Sequence, residues 1–225
     1  MTSTTQHAVR PSILATSLTG LAILVAVWVA GLSIAASAGF SRAELHVVAW
    51  VGSPHSPFLD ALARTIDVVI GPFVAPLLGL LLVVAALIVA RTWRAALRAA
   101  VLLAVPWGIA EAMKYAVQRP RPDIRALTRT IPPDTFTSSF PSGHAAFAAA
   151  LTCAVILCLT APRTATRTAV IVIGALFTLA VAWSRVYLGV HYPTDVLASI
   201  ILIPAIAIPL DRITRRMPVL AISHR

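Results

Sequence analysis

The chain has 225 residues, 59% of them hydrophobic and only 12% charged, with a mean hydropathy of +0.89, far from the composition of a soluble globular domain. Such a composition describes an integral membrane protein and excludes a water-soluble enzyme or binding module. The net charge of +10 comes from arginines scattered between apolar spans, without the contiguous basic face that nucleic-acid binding requires, so no nucleic-acid partner is expected.

The apolar runs, in chain order, fall near 12–38, 66–90, 98–117, 145–161, 168–187 and 196–210. A helix needs about 20 residues to cross roughly 30 Å of hydrocarbon. The expected fold class is therefore all-α: a polytopic membrane helical bundle of six transmembrane helices, the last short and interrupted by Pro204 and Pro209. Arg10 precedes the first run and Ala36-Ser37-Ala38 resembles a cleavage site. The run nevertheless exceeds the roughly 7–15 apolar residues of a signal peptide, and an uncleaved anchor is expected.

Segment 39–65 holds His46, Trp50, Pro54, His55, Pro57 and Phe58, a mixture that suits a helix lying at the membrane surface. Neither histidine has a partner at ligand or catalytic spacing, and both read as interfacial residues. Cys153 and Cys158 share the fourth run, five positions apart. That spacing does not put them on one helix face, and both read as plain core residues. There is no internal repeat, so 1–225 reads as one domain with its motif-bearing core at about 98–210.

With the N and C termini cytoplasmic, ten basic residues lie inside, at the chain ends and within 91–98, 163–167 and 212–216. Eight lie outside, and setting aside Lys114, Arg121 and Arg185 leaves five. The asymmetry has the sense of the positive-inside rule. It places those three residues, and the strings around them, on the extracytoplasmic side of a cytoplasmic membrane.

Three separated strings carry the chemistry. Lys114, the only lysine, sits at the outer end of the third run, followed by Gln118-Arg119-Pro120-Arg121-Pro122. The prolines remove backbone donors and push preceding residues out of the α region, so the helix ends there and the charges of Lys114 and Arg121 can converge. Glu111, three residues before Lys114, reads as its ion-pair partner. Pro141-Ser142-Gly143-His144 opens the fourth helix, whose unpaired N–H groups and partial positive charge make an anion site. Ser142 can add its hydroxyl to a phosphate oxygen, and His144 faces the same anion as a proton donor.

In the third string, Ser184-Arg185 is followed by His191 and Asp195. Pro193 fits a first helical position, and Asp195 then lies within reach of the His191 imidazole. A carboxylate on one ring nitrogen fixes the tautomer and leaves the other as a nucleophile, a role worth on the order of 10⁴ in rate in Ser-His-Asp sites. His and Asp also suit zinc, but three fixed cations in one small site repel a divalent metal and stabilise a phosphate dianion. No metal and no cofactor are expected.

Eleven of these positions, Lys114, Arg121-Pro122, Pro141-Ser142-Gly143-His144, Ser184-Arg185, His191 and Asp195, resemble the three-part motif of the type 2 phosphatidate phosphatase family, membrane lipid phosphatases that share their site with bacterial acid phosphatases and vanadium haloperoxidases. The match runs over residues 114–195 without a departure inside the motifs. The resemblance implies in-line attack on phosphorus by His191, orientation by Asp195, and His144 as acid and then base. Lys114, Arg121, Arg185, Ser142 and the Gly143 amide would hold the equatorial oxygens. The implied substrate is a membrane lipid phosphate or diphosphate in the bilayer. A polyprenyl diphosphate such as undecaprenyl diphosphate is favoured, and phosphatidylglycerol phosphate, phosphatidate and diacylglycerol diphosphate remain open. A lipid phosphotransferase using the same histidine, and a catalytically silent scaffold or carrier, are the alternatives. The sequence carries no signal for oligomeric state.

Overall fold

The computed structural model describes residues 12–54, 56–123, 127 and 138–217. These residues form eight helices: α1 (Ile13–Ala35), α2 (Ala38–Gly52), α3 (Pro57–Val69), α4 (Ala75–Ala90), α5 (Trp93–Val117), α6 (Gly143–Leu159), α7 (Ala165–Tyr187) and α8 (Pro193–Thr214). Ser12, Ser37, Ser56, Thr92 and Thr164 each start a helix, the hydroxyl accepting from an amide of the first turn. Such a cap contributes about 1 kcal/mol. At the other end of α5, Gln118 turns left-handed with φ 51° and Arg119-Pro120 stops the helix.

Helices α1, α5, α7 and α8 are long and apolar enough to cross a membrane, while α4 and α6 are shorter apolar helices of 16 and 17 residues. The chain is a multi-pass membrane protein, all-helical over the described residues. Three sequence expectations change. The run at 66–90 is two pieces, because Gly71-Pro72 breaks it between α3 and α4. Segment 39–65 is two helices, α2 and most of α3, and no single surface helix. Of its histidines, His46 is exposed and His55 lies outside the described residues.

The third change concerns α8, which runs for 22 residues through both Pro204 and Pro209, neither short nor interrupted. Pro209 has no N–H to give the carbonyl of Ala205. Helix α1 packs onto that place at Gly20, so closely that a Cβ there would lie 2.4 Å from Ala205 O and 3.0 Å from Pro209 Cγ. A neighbouring helix thus covers the freed backbone, which is how membrane helices tolerate internal proline.

Helix α6 occupies the centre, packed against α5, α7 and α8. Its buried side chains are mostly alanine, Ala145, Ala146, Ala148, Ala149, Ala150 and Ala154. Within a bilayer, lipid tails are as apolar as leucine, and association comes from close backbone approach. Alanine permits that approach on every side of α6 and fixes where its first turn sits relative to the ends of its neighbours.

Candidate active site

The N-terminal ends of α6 and α8 and the C-terminal ends of α5 and α7 meet at one end of the bundle. Lys114 lies in the last turn of α5, Arg121 just beyond it, Ser142 at the N-cap of α6 with Gly143 and His144 in its first turn, and Arg185 in the last turn of α7. His191 sits in the turn to α8, and Asp195 in the first turn of that helix. The turn reverses the chain at Gly189, whose φ of 73° is open to glycine at no cost. Amides of Leu188, Gly189 and Val190 donate back to carbonyls of Ser184, Val186 and Arg185, which holds the turn closed.

A cavity of about 340 Å³ is lined by Glu111, Lys114, Arg121, Gly143, His144 and His191, with an apolar wall that includes Trp107 and Phe147. Five of the eight residues singled out from sequence therefore share one space. Lys114 Nζ pairs with Glu111 at 3.1 Å, and Arg121 Nη1 donates to Val190 O at 3.0 Å. The other three, Ser142, Arg185 and Asp195, are buried. The Ser142 hydroxyl makes no cap bond and has no hydrogen-bond partner among the described residues. Its backbone is fixed instead, the amide donating to Asp195 O and the carbonyl accepting from Ser199 Oγ.

Asp195 does more than face His191. Its Oδ1 accepts from Arg119 Nη1 at 2.7 Å and its Oδ2 from the Tyr192 amide at 2.8 Å. His191 Nδ1 lies 3.4 Å from Oδ2, an ion-pair distance without hydrogen-bond geometry, so the carboxylate is held by Arg119 and positioned beside the ring. Arg119 is wholly buried, its Nη2 donates to Glu44 Oε2 at 2.7 Å, and its guanidinium lies 4.0 Å over the Tyr192 ring. Glu44 in turn accepts from the amide and hydroxyl of Thr194. The result is a buried row, Glu44–Arg119–Asp195, behind His191.

Sequence reasoning did not single out Arg119, Glu44 or Asp67. Asp67, from α3, pairs with Arg185 Nη1 and lies 3.3 Å from His144 Nε2. The available signal was scarcity: only eight acidic residues occur in 225, and an acid in so apolar a chain needs a partner.

Residues 95–215, more than half of the chain, match the family model described as the PAP2 superfamily. The chain belongs to the PAP2 superfamily. Within the curated proteins it is 32% identical over 114 residues to an undecaprenyl-diphosphatase of Sulfolobus acidocaldarius, an alignment covering 50% of this chain and 52% of the relative. The chain thus spans about half the length of that curated relative. Its fold matches the crystal structure of a transmembrane PAP2-type phosphatidylglycerolphosphate phosphatase from Bacillus subtilis, with a TM-score of 0.72 at 20% identity, over 88% of this chain and 97% of that one.

Electrostatics in this candidate site favour an anion beside a neutral imidazole. Burial, and then the charges of Arg121, Arg185, Lys114 and His144, hold the His191 ring well below its ordinary pKa of 6.5. Asp67, half-exposed, is lowered to about 2, chiefly by its contact with His144 and then by Arg185, against the opposing effect of burial. Among the described residues no group of three or more His, Cys, Asp or Glu is placed to hold a metal ion.

Gly143 in this candidate site has a steric reason. A Cβ there would meet Glu111 Oε1 at 2.3 Å and Lys114 Nζ at 2.7 Å. Both atoms are ends of flexible side chains, so Gly143→Ala should fold while pushing the Lys114 ammonium out of place. For Lys114 as the phosphate donor that the motif resemblance implies, loss of one preorganised donor costs about 10²–10³ in rate. The expected result is a fall of that size in kcat/KM with an unchanged unfolding midpoint, and a variant of wild-type activity would remove this role from Gly143.

Proposed function

We propose that the chain is a metal-independent membrane lipid phosphatase that works through a phosphohistidine on His191. The observation that carries this reading is the cavity itself: a buried imidazole held below its ordinary pKa, at the wall of a space that Lys114 and Arg121 line and whose positive field Arg185 adds to from behind. Phosphoryl transfer is mostly positioning and electrostatic stabilisation, and these residues supply both. The His191 nitrogen remote from Asp195 forms a bond to phosphorus as the bond to the leaving oxygen breaks. His144 gives that oxygen its proton. In the second step, water attacks phosphorus while His144 takes the water's proton, releasing phosphate and restoring His191. Lys114, Arg121, Arg185, the Ser142 hydroxyl and the Gly143 amide hold the equatorial oxygens.

The lipid phosphate reaches the site within the bilayer, and a polyprenyl diphosphate is the favoured substrate; its leaving group is the lipid monophosphate. The undecaprenyl-diphosphatase named above supports this choice over phosphatidylglycerol phosphate and phosphatidate. Helices α1, α4, α5, α6, α7 and α8 form six spans with the site at the extracytoplasmic face, because the opposite end of the bundle carries Arg91, Arg94, Arg98, Arg163, Arg167 and the 212–216 arginines. In intact cells a membrane-impermeant thiol reagent should modify a cysteine introduced at Asp123 and spare one at Arg163. The reverse pattern would invert the orientation.

Asp67 bears on affinity. Ionised at any working pH, its carboxylate sits on Arg185, where a substrate oxygen would bind, and competes with it. Asp67→Asn should tighten inhibition by inorganic phosphate about three- to tenfold, the order of one screened charge at a half-exposed position. Weaker inhibition would show that the carboxylate supports anion binding.

The reading is tested by phosphate release from polyprenyl diphosphate, phosphatidylglycerol phosphate and phosphatidate, using detergent-purified protein with EDTA present. Release that survives EDTA, fastest with the polyprenyl lipid, is expected. Loss of release in EDTA would overturn the metal-free chemistry, and phosphate appearing only on an added acceptor lipid would make the chain a transferase.

A further inference from the structure

At the end of the bundle remote from His191, the C-terminal ends of α6 and α8 and the N-terminal ends of α1 and α7 enclose a second cavity. Its volume is about 780 Å³, and its charged lining is Arg163, Arg167, Arg212, Arg215, Arg216 and Asp211. Asp211 balances only part of this charge, because it is shared between buried Arg98 and Arg215, whose Nε lies at 2.9 Å. No second carboxylate lines the cavity among the described residues. Arg167 is fixed by bonds to Ile156 O at 2.9 Å and Thr160 Oγ1 at 3.1 Å at the end of α6. The cavity is thus a built, strongly positive concavity.

An apolar groove of about 420 Å³ adjoins it along α1 and α8, lined by Thr19, Ile23, Ile201, Pro204 and Ile208 among others. Thr16 joins the two: it borders the groove, and its Oγ1 accepts from Arg212 Nη1 at 3.4 Å. Simple attraction of scattered arginines to a charged surface would need neither a cavity nor a groove beside it. A molecule with an anionic head and an apolar chain fills both.

We propose that this end of the bundle binds one anionic phospholipid, with its headgroup phosphate among the arginines and an acyl chain in the α1–α8 groove. The site is distinct from the cavity at His191 and its existence is independent of the phosphatase reading. Arg163, Arg216 and Thr19 are exposed, and their replacement disturbs no packed interior.

The test is native mass spectrometry of the delipidated full-length protein titrated with dioleoylphosphatidylglycerol or dioleoylphosphatidylcholine, with size-exclusion profiles confirming that each variant is folded. One phosphatidylglycerol should bind at least about tenfold more tightly than phosphatidylcholine. An Arg163→Gln, Arg216→Gln double variant should lose about fivefold per arginine, from the usual contribution of a basic side chain near an anionic lipid surface. Thr19→Trp, which fills the groove and leaves the arginines alone, should weaken binding of both lipids. Equal affinity for the two lipids would overturn the proposal. So would phosphatidylglycerol binding indifferent to the arginine variant, which would put the lipid elsewhere, or binding indifferent to Thr19→Trp, which would reduce the effect to surface attraction.

Discussion

On the proposed mechanism, His191→Ala should lower phosphate release by at least about 10⁴-fold, because the side chain assigned to form the covalent bond is gone. The variant should still bind inorganic phosphate, since Lys114, Arg121 and Arg185 remain, so the loss falls on kcat and not on KM. His144→Ala removes the side chain proposed as the acid for the leaving oxygen, a loss of about 10²–10⁴. That deficit should shrink for a substrate with a good leaving group, such as a nitrophenyl phosphate, whereas the His191 deficit should not. The pH dependence separates the two further. Protonation of His191 would silence it, and its pKa lies well below 6.5. Activity should therefore persist as pH falls through 6.5, and any loss owed to His191 should appear only at lower pH. A loss of activity with a midpoint at 6.5 that persists in His144→Ala, followed with a nitrophenyl phosphate, would contradict the burial seen here.

The second large effect belongs to a residue outside the cavity. Arg119→Ala should destabilise the protein by about 3–5 kcal/mol, because it leaves Glu44 and Asp195 as facing buried carboxylates without their cation. Each was paired with Arg119 at 2.7 Å. Arg119→Lys keeps the charge but not the planar fork that reaches both acids at once, so it should fold and still lose activity through a displaced Asp195. Thermal unfolding in detergent measures the first effect, and kcat of the lysine variant measures the second. A stability loss below about 1 kcal/mol in Arg119→Ala would mean that water or another cation fills the gap.

What the sequence made legible follows from which constraints are local. Helix ends, prolines and a helix-start serine are local, and they were enough to put Lys114, Arg121, Gly143, His144 and His191 in one expected site; the structure brings these five together in one cavity. Glu44 illustrates what was hidden. It meets Thr194 across 150 positions, and no spacing rule connects them. Asp67 was hidden for a different reason: the apolar run at 66–90 absorbed it, and only the break at Gly71-Pro72 shows that it belongs to α3, facing Arg185 and His144. In α8, the prolines signalled an interruption because local rules carry no knowledge of Gly20 on α1, which packs over the Ala205 carbonyl. Local chemistry was readable and long-range ion pairing was not.

The central claim, a covalent phosphohistidine, is tested most directly by acid-free quenching of the purified protein during turnover of a terminally ³²P-labelled polyprenyl diphosphate, followed by mapping of the label. Alkali-stable, acid-labile label on the peptide carrying His191, absent in His191→Ala and accumulating in His144→Ala with a good leaving group, is the expected result. Rapid turnover with no label on any histidine would contradict it and would mean that water attacks phosphorus directly.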